Sequence, residues 1–72
     1  MYAEVFPSRL KKARKDAGYT QEQVSKETGI SRTIIAYLET GKREPSLENL
    51  GILIDFYEVS ADWILGTGKT KR

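Results

Sequence analysis

Arg32, Thr33, Ala36, Tyr37 and Thr40 are the residues of this chain whose types and spacing fit recognition chemistry. At about 100° per residue they fall within roughly 140° of one another on one side of a helix, with Ile35 and Leu38 on the opposite side. The band holds hydrogen-bond donors and small groups, and it lacks Lys and Glu, the usual filling of a solvated helix face. Two surfaces would use it. A DNA major groove admits one helix and is read by arginine, short polar side chains and methyl-bearing groups near the helix N-terminus. There Arg32 would reach guanine O6 and N7. Thr33 would donate to a base or touch a thymine methyl, Ala36 would keep the helix close to the groove floor, and Tyr37 would reach a base edge or a phosphate. A protein partner is the other surface, and it would favour larger apolar groups than these.

The rest of the inventory argues against catalysis. The chain has no cysteine and no histidine, which removes most zinc sites, disulfides and the commonest nucleophile–base pairs. Glu4, Asp16, Glu22, Glu27, Glu39, Glu44, Glu48, Asp55, Glu58 and Asp62 are scattered over helix surfaces and caps. No nucleophile, base and orienting group can be assembled from them, so neither an enzymatic role nor a metal or other cofactor is expected.

Seventy-two residues make one small domain with a modest core. No apolar run is long enough to span a membrane and none follows a basic start, so the expected location is cytoplasmic. The net charge of +2 is unevenly spread. Residues 1–43 hold nine Lys and Arg against five Asp and Glu, and residues 44–66 hold five acids and no base. The front of the molecule can meet a polyanion and the back cannot.

Five helices and no strand are needed to position these residues. In the first, ending at Ala17, the residues Leu10, Ala13, Arg14 and Ala17 recur at one-face spacing. Pro7 places its start nearby, since proline is tolerated in a first turn. Gly18 fits a left-handed cap with Tyr19 as its hydrophobic contact. Thr20 and Gln23 form a capping box for a second helix that stops near Thr28 and Gly29, with Val24 facing the core. Ser31 then caps the third helix, residues 32–40, and the glycine-containing turn between the two has helix-turn-helix spacing. Ser46 caps a fourth helix whose core stripe is read as Leu47, Leu50, Leu53, Ile54 and Tyr57. Ser60 caps a short fifth helix that stops at Gly66. Residues 1–66 are read as the domain and 67–72 as a flexible basic tail.

At these residues the sequence resembles a known family. TQEQVSKETGISRTIIAYLETGKREPSLENL is similar to the helix-turn-helix of Cro and phage repressors, the XRE family. The matching marks are Gln21, Gly29, Ile30-Ser31, Ile35, Tyr37-Leu38-Glu39, Gly41-Lys42-Arg43 and Pro45, and the likeness continues through VSADWILG to Gly66. The resemblance implies an all-α, compact five-helix bundle of the lambda-repressor-like type. It implies a sequence-specific regulator of transcription, a repressor acting on double-stranded DNA. Arg32, Thr33, Ala36 and Tyr37 would contact bases, and Gln21, Thr40, Lys42 and Arg43 would contact phosphate. Arg14 and Glu39 match a pair that forms a buried salt bridge in some relatives. The Ala36–Tyr37 pair departs from the glutamine-rich face of some phage repressors, which leaves the base preference open. No ligand-sensing domain is present, so the chain is either a short regulator complete in itself or the DNA-binding part of a longer one.

Ile52 and Phe56 point roughly 140° away from the core stripe of the fourth helix, and Trp63 is close in sequence. They either pack under the fifth helix or form an apolar patch. The family commonly dimerises in this region, so the three residues are candidates for a homodimer surface serving a palindromic site. A protein-interaction module of the same fold, such as the antitoxin half of a toxin pair, is the competing reading.

Overall fold

The computed structural model describes residues 2–67. Among them are five α-helices and no strand: α1 (Tyr2–Ala17), α2 (Gln21–Thr28), α3 (Arg32–Thr40), α4 (Leu47–Tyr57) and α5 (Ala61–Leu65). Each of the last four begins on a hydroxyl that accepts the N–H of its third helical residue. Thr20 takes Gln23 at 3.1 Å, Ser31 takes Ile34 at 3.2 Å, Ser46 takes Asn49 at 3.1 Å and Ser60 takes Trp63 at 3.0 Å. Gln23 Oε1 accepts the Thr20 N–H at 2.8 Å and completes the capping box. Each such cap contributes about 1 kcal/mol, which matters for helices of five to eleven residues.

α1 lies against both α3 and α5 and carries Phe6, Leu10 and Ala13 into the core. Val24, Ile30, Ile35, Leu38, Leu53, Tyr57, Val59, Trp63 and Ile64 complete it. The helix starts at Tyr2, earlier than Pro7 suggested, and Pro7 sits inside it. Its missing N–H removes one bond from the second turn. Packing outweighs that loss, because Phe6 is 2 % exposed and Val5 lies against the end of α5.

α4 corrects the sequence reading most. Of the expected stripe only Leu53 and Tyr57 are buried; Leu50 and Ile54 are half-buried and Leu47 is 86 % exposed. Ile52 and Phe56, offered as surface candidates, pack partly buried against the core. The Phe56 ring stands 4.9 Å from that of Tyr19 and 5.4 Å from that of Tyr57. Trp63 does not form an exposed patch: it is 7 % exposed, and the Arg9 guanidinium lies 5.3 Å over its ring. Arg9 also donates to the Trp63 carbonyl. The reason is that α5 docks on α1, which covers Trp63 from within the same chain.

α4 ends at Glu58, which takes a left-handed conformation with φ 56°. Gly66 ends α5 with φ 84°, and a Cβ there would overlap the Val5 side chain. Thr67, read as the start of the tail, is tied to α5. Its N–H donates to the Asp62 carbonyl at 2.8 Å and its hydroxyl lies 3.3 Å from Asp62 Oδ1. The remainder of the expected tail, residues 68–72, lies outside the described residues. No helix among the described residues is long and apolar enough to cross a membrane.

Candidate nucleic-acid interface

The turn between α2 and α3 is closed by backbone and by one side chain. The Gly29 N–H donates to the Ser25 carbonyl at 2.9 Å. Thr28 donates its hydroxyl to the Val24 carbonyl at 2.7 Å and accepts the Ile30 N–H at 3.2 Å. Ile30, 5 % exposed, anchors the turn in the core. Sequence reasoning gave Thr28 no role; a threonine four residues after a core position, just before a helix-ending glycine, was the available signal.

Ile35 and Leu38 are fully buried, which fixes the rotation of α3. Arg32, Thr33, Tyr37 and Thr40 are therefore exposed, and Ala36 is half-buried between them. Ile34, at the edge of the band, packs partly buried against the core. Lys42 and Arg43 follow on the exposed loop, so three cations and three short or aromatic polar groups share this end of the molecule. Tyr37 is 42 % exposed, and the Lys42 ammonium lies 5.9 Å from its ring centroid.

Two expected phosphate contacts have other partners here. Thr40 donates its one hydroxyl proton within its own helix, lying 3.0 Å from the Ala36 carbonyl and 3.4 Å from that of Tyr37. A phosphate only accepts, so in this rotamer Thr40 has no proton to give it. Gln21 Nε2 donates to Glu39 Oε1 at 3.2 Å, which leaves the amide one hydrogen for another acceptor.

Behind the band, Arg14 and Glu39 join α1 to α3 as a two-point pair. Arg14 Nε donates to Glu39 Oε2 at 2.8 Å and Arg14 Nη2 to Oε1 at 3.0 Å. Arg14 Nη1 donates to the Tyr19 carbonyl at 2.9 Å. Both residues are buried, at 8 % and 7 % exposure. The hydrogen bond to Glu39 holds the Arg14 guanidinium above its ordinary value, against the opposing effect of burial. This pair explains a charged residue on the inner face of α1, and it anchors the N-terminus of α2 through Gln21.

The Tyr57 hydroxyl is buried without a hydrogen-bond partner among the described residues. Burial pushes its phenol above the ordinary value of 10.0, and the Glu39 charge pushes the same way while Arg14 opposes it. A phenol raised in the folded state keeps its contribution in full below pH 10 and loses it as pH rises towards the folded value. Above pH 10 the slope is about 1.4 kcal/mol per pH unit. Tyr57→Phe is expected to leave stability at pH 7 unchanged or raised by up to about 1 kcal/mol. It should also remove that alkaline loss, as urea midpoints at pH 7 and pH 11 would register.

The comparisons agree with this geometry. A family model described as helix-turn-helix matches residues 10–64. The chain belongs to the XRE-type helix-turn-helix family. Among its relatives, the HTH-type transcriptional regulator ImmR of Bacillus subtilis strain 168 is 34 % identical over 64 residues, covering 89 % of this chain and 50 % of ImmR. YazB of the same strain, named an uncharacterized HTH-type transcriptional regulator, is 40 % identical over 62 residues, covering 86 % of this chain and 90 % of YazB. The cryptic phage CTXphi transcriptional repressor RstR of Vibrio cholerae is 39 % identical over 62 residues, covering 86 % of this chain and 55 % of RstR. The chain thus spans about half the length of ImmR and RstR and nearly all of YazB. These relatives are named as regulators, not as enzymes.

Proposed function

We propose that this chain is a sequence-specific regulator of transcription that places α3 in the major groove of double-stranded DNA and acts as a repressor by occupying its operator. The observation that carries the reading is the rotation of α3: buried Ile35 and Leu38 turn Arg32, Thr33 and Tyr37 outward together. In this reading Arg32 takes guanine O6 and N7, Thr33 and Tyr37 take base edges, and half-buried Ala36 permits close approach. Lys42, Arg43 and the spare amide hydrogen of Gln21 take phosphates. Thr40 supports the helix end instead of the backbone contact. The repressor role is supported by the likeness to RstR, which bears that name.

The test is selection of sites from random DNA at moderate salt. An inverted repeat with half-sites about 34 Å apart is the expected result. On the selected site, Arg32→Ala should cost about 1–3 kcal/mol and relax preference at one base pair. Lys42→Ala should weaken binding to all sequences alike and flatten the salt slope by about one unit. A protein-interaction module would show neither effect and would enrich no sequence.

An operator of that kind calls for a second copy. Leu47 supports one surface for it, because this large apolar side chain is 86 % exposed beside Pro45, Leu50 and Leu65. The four residues line a groove of about 300 Å³ just beyond the C-terminus of α3. Leu47 lies outside the core, so Leu47→Asp should leave the fold intact, reduce the sedimenting mass to one chain and weaken operator binding at least tenfold. A mass of two chains in that variant would move the contact elsewhere.

A further inference from the structure

We propose that Tyr37 and Lys42 act as one unit, in which the tyrosine face holds the lysine ammonium ready for DNA phosphate while the tyrosine edge reads the neighbouring base. This rests on the DNA-binding reading above, and it adds a dependence between two contacts that would otherwise be independent.

The end of α3 is built to bring the two side chains together. Gly41 takes a left-handed conformation with φ 79°, and its N–H donates to the Tyr37 carbonyl. The Lys42 N–H donates to the same carbonyl at 3.0 Å, and the Thr40 hydroxyl lies 3.4 Å from it. The two backbone donors on this carbonyl, Gly41 N–H and Lys42 N–H, set the backbone of Lys42 over the last turn of the helix. Its side chain then folds back along the tyrosine, with Nζ 5.9 Å from the ring centroid. Glu39, the nearest acid within α3, is buried and taken by Arg14 and Gln21, so it does not compete for this ammonium.

A lysine carries large rotamer entropy, and holding it before binding removes part of the cost of ordering it on DNA. The ring attracts the cation through its negative face while leaving its edge and hydroxyl exposed. Tyr37 is 42 % exposed, enough to present both a face to Lys42 and an edge to the groove. Removing the ring should therefore lower the worth of Lys42, whereas an exchange that keeps the ring should not. An exposed cation–ring contact corresponds to about a two- to fivefold effect on affinity.

The experiment is a double-mutant cycle on the selected site, using the full chain and a series of salt concentrations. Its members are Tyr37→Leu, Tyr37→Phe, Lys42→Met and the two double variants. In the Tyr37→Leu background, Lys42→Met should cost about two- to fivefold less affinity than in the unmodified chain. Tyr37→Phe keeps the ring and should preserve the full Lys42 effect, while losing whatever preference the hydroxyl confers. Without DNA, the Lys42 ε-methylene protons should show an upfield ring-current shift in NMR spectra, lost in Tyr37→Leu and kept in Tyr37→Phe. An additive cycle, or no ring-current shift in the unmodified chain, overturns the coupling and leaves the DNA reading standing. A chain that selects no DNA site overturns both.

Discussion

Glu39→Ala is expected to lower the unfolding free energy by about 3–5 kcal/mol, because it strands the buried Arg14 guanidinium. The carboxylate accepts from Arg14 at two points and from Gln21 at a third, and it is 7 % exposed. Without it, among the described residues Arg14 keeps its bond to the Tyr19 carbonyl in a site that water barely reaches. A domain of 72 residues has roughly 4–11 kcal/mol in total at the usual value per residue, so the variant would be largely unfolded if the total lies near the lower end and measurably destabilised in any case. Urea unfolding followed by far-ultraviolet circular dichroism measures the loss. Arg14→Met combined with Glu39→Leu removes both charges and should recover most of it, since a buried pair roughly breaks even against well-packed apolar groups. A single-variant cost under about 1 kcal/mol would mean that water reaches the pair. The double variant also separates stability from binding. If it recovers stability as expected, a drop in its DNA affinity would report the positioning that the Glu39 network gives Gln21 and α3.

Gly66→Ala is the second large effect, expected at about 2–5 kcal/mol. Two costs combine: a left-handed conformation in a residue with a Cβ, about 1–2 kcal/mol, and overlap with Val5, about 1–3 kcal/mol. The position matters because α5 has only five residues and rests on α1, which in turn supports α3. A fall in Tm of about 10 °C or more is the result to look for in a thermal scan. Val5→Ala in the same chain should return the overlap cost and leave the backbone cost. If Gly66→Ala melts with the unmodified chain, the close approach of α1 and α5 at Val5 is not rigid.

The local devices of this fold were legible because each is complete within a few residues. Thr20 with Gln23, Ser31, Ser46 and Ser60 announce helix starts through side-chain geometry that needs no distant partner. Gly29 and Gly41 mark the ends of α2 and α3, so the recognition helix could be bounded from sequence. Its outward band followed from the phase of Ile35 and Leu38, since burying two residues of a helix orients all the others. The Arg14–Glu39 pair was named only through the family resemblance, which also accounted for an arginine on the inner face of α1.

Tertiary structure decided what no local period could. α4 is apolar on most of its circumference, so it has no phase to read, and only its neighbours determine that Leu53 and Tyr57 are buried while Leu47 is left in solvent. Pro7 lies within α1 because Phe6 and Val5 have packing partners far along the chain. Trp63 is withdrawn from the surface by Arg9, fifty-four positions away in sequence. Thr40 and Gln21 have the same donors in the sequence as in the fold, but which acceptor takes each proton depends on distance, and distance is set by packing. The sequence by itself determined the number and order of the helices and the outward band of α3; the fold decided which side chains stay exposed, because burial is a property of pairs of surfaces and not of one helix alone.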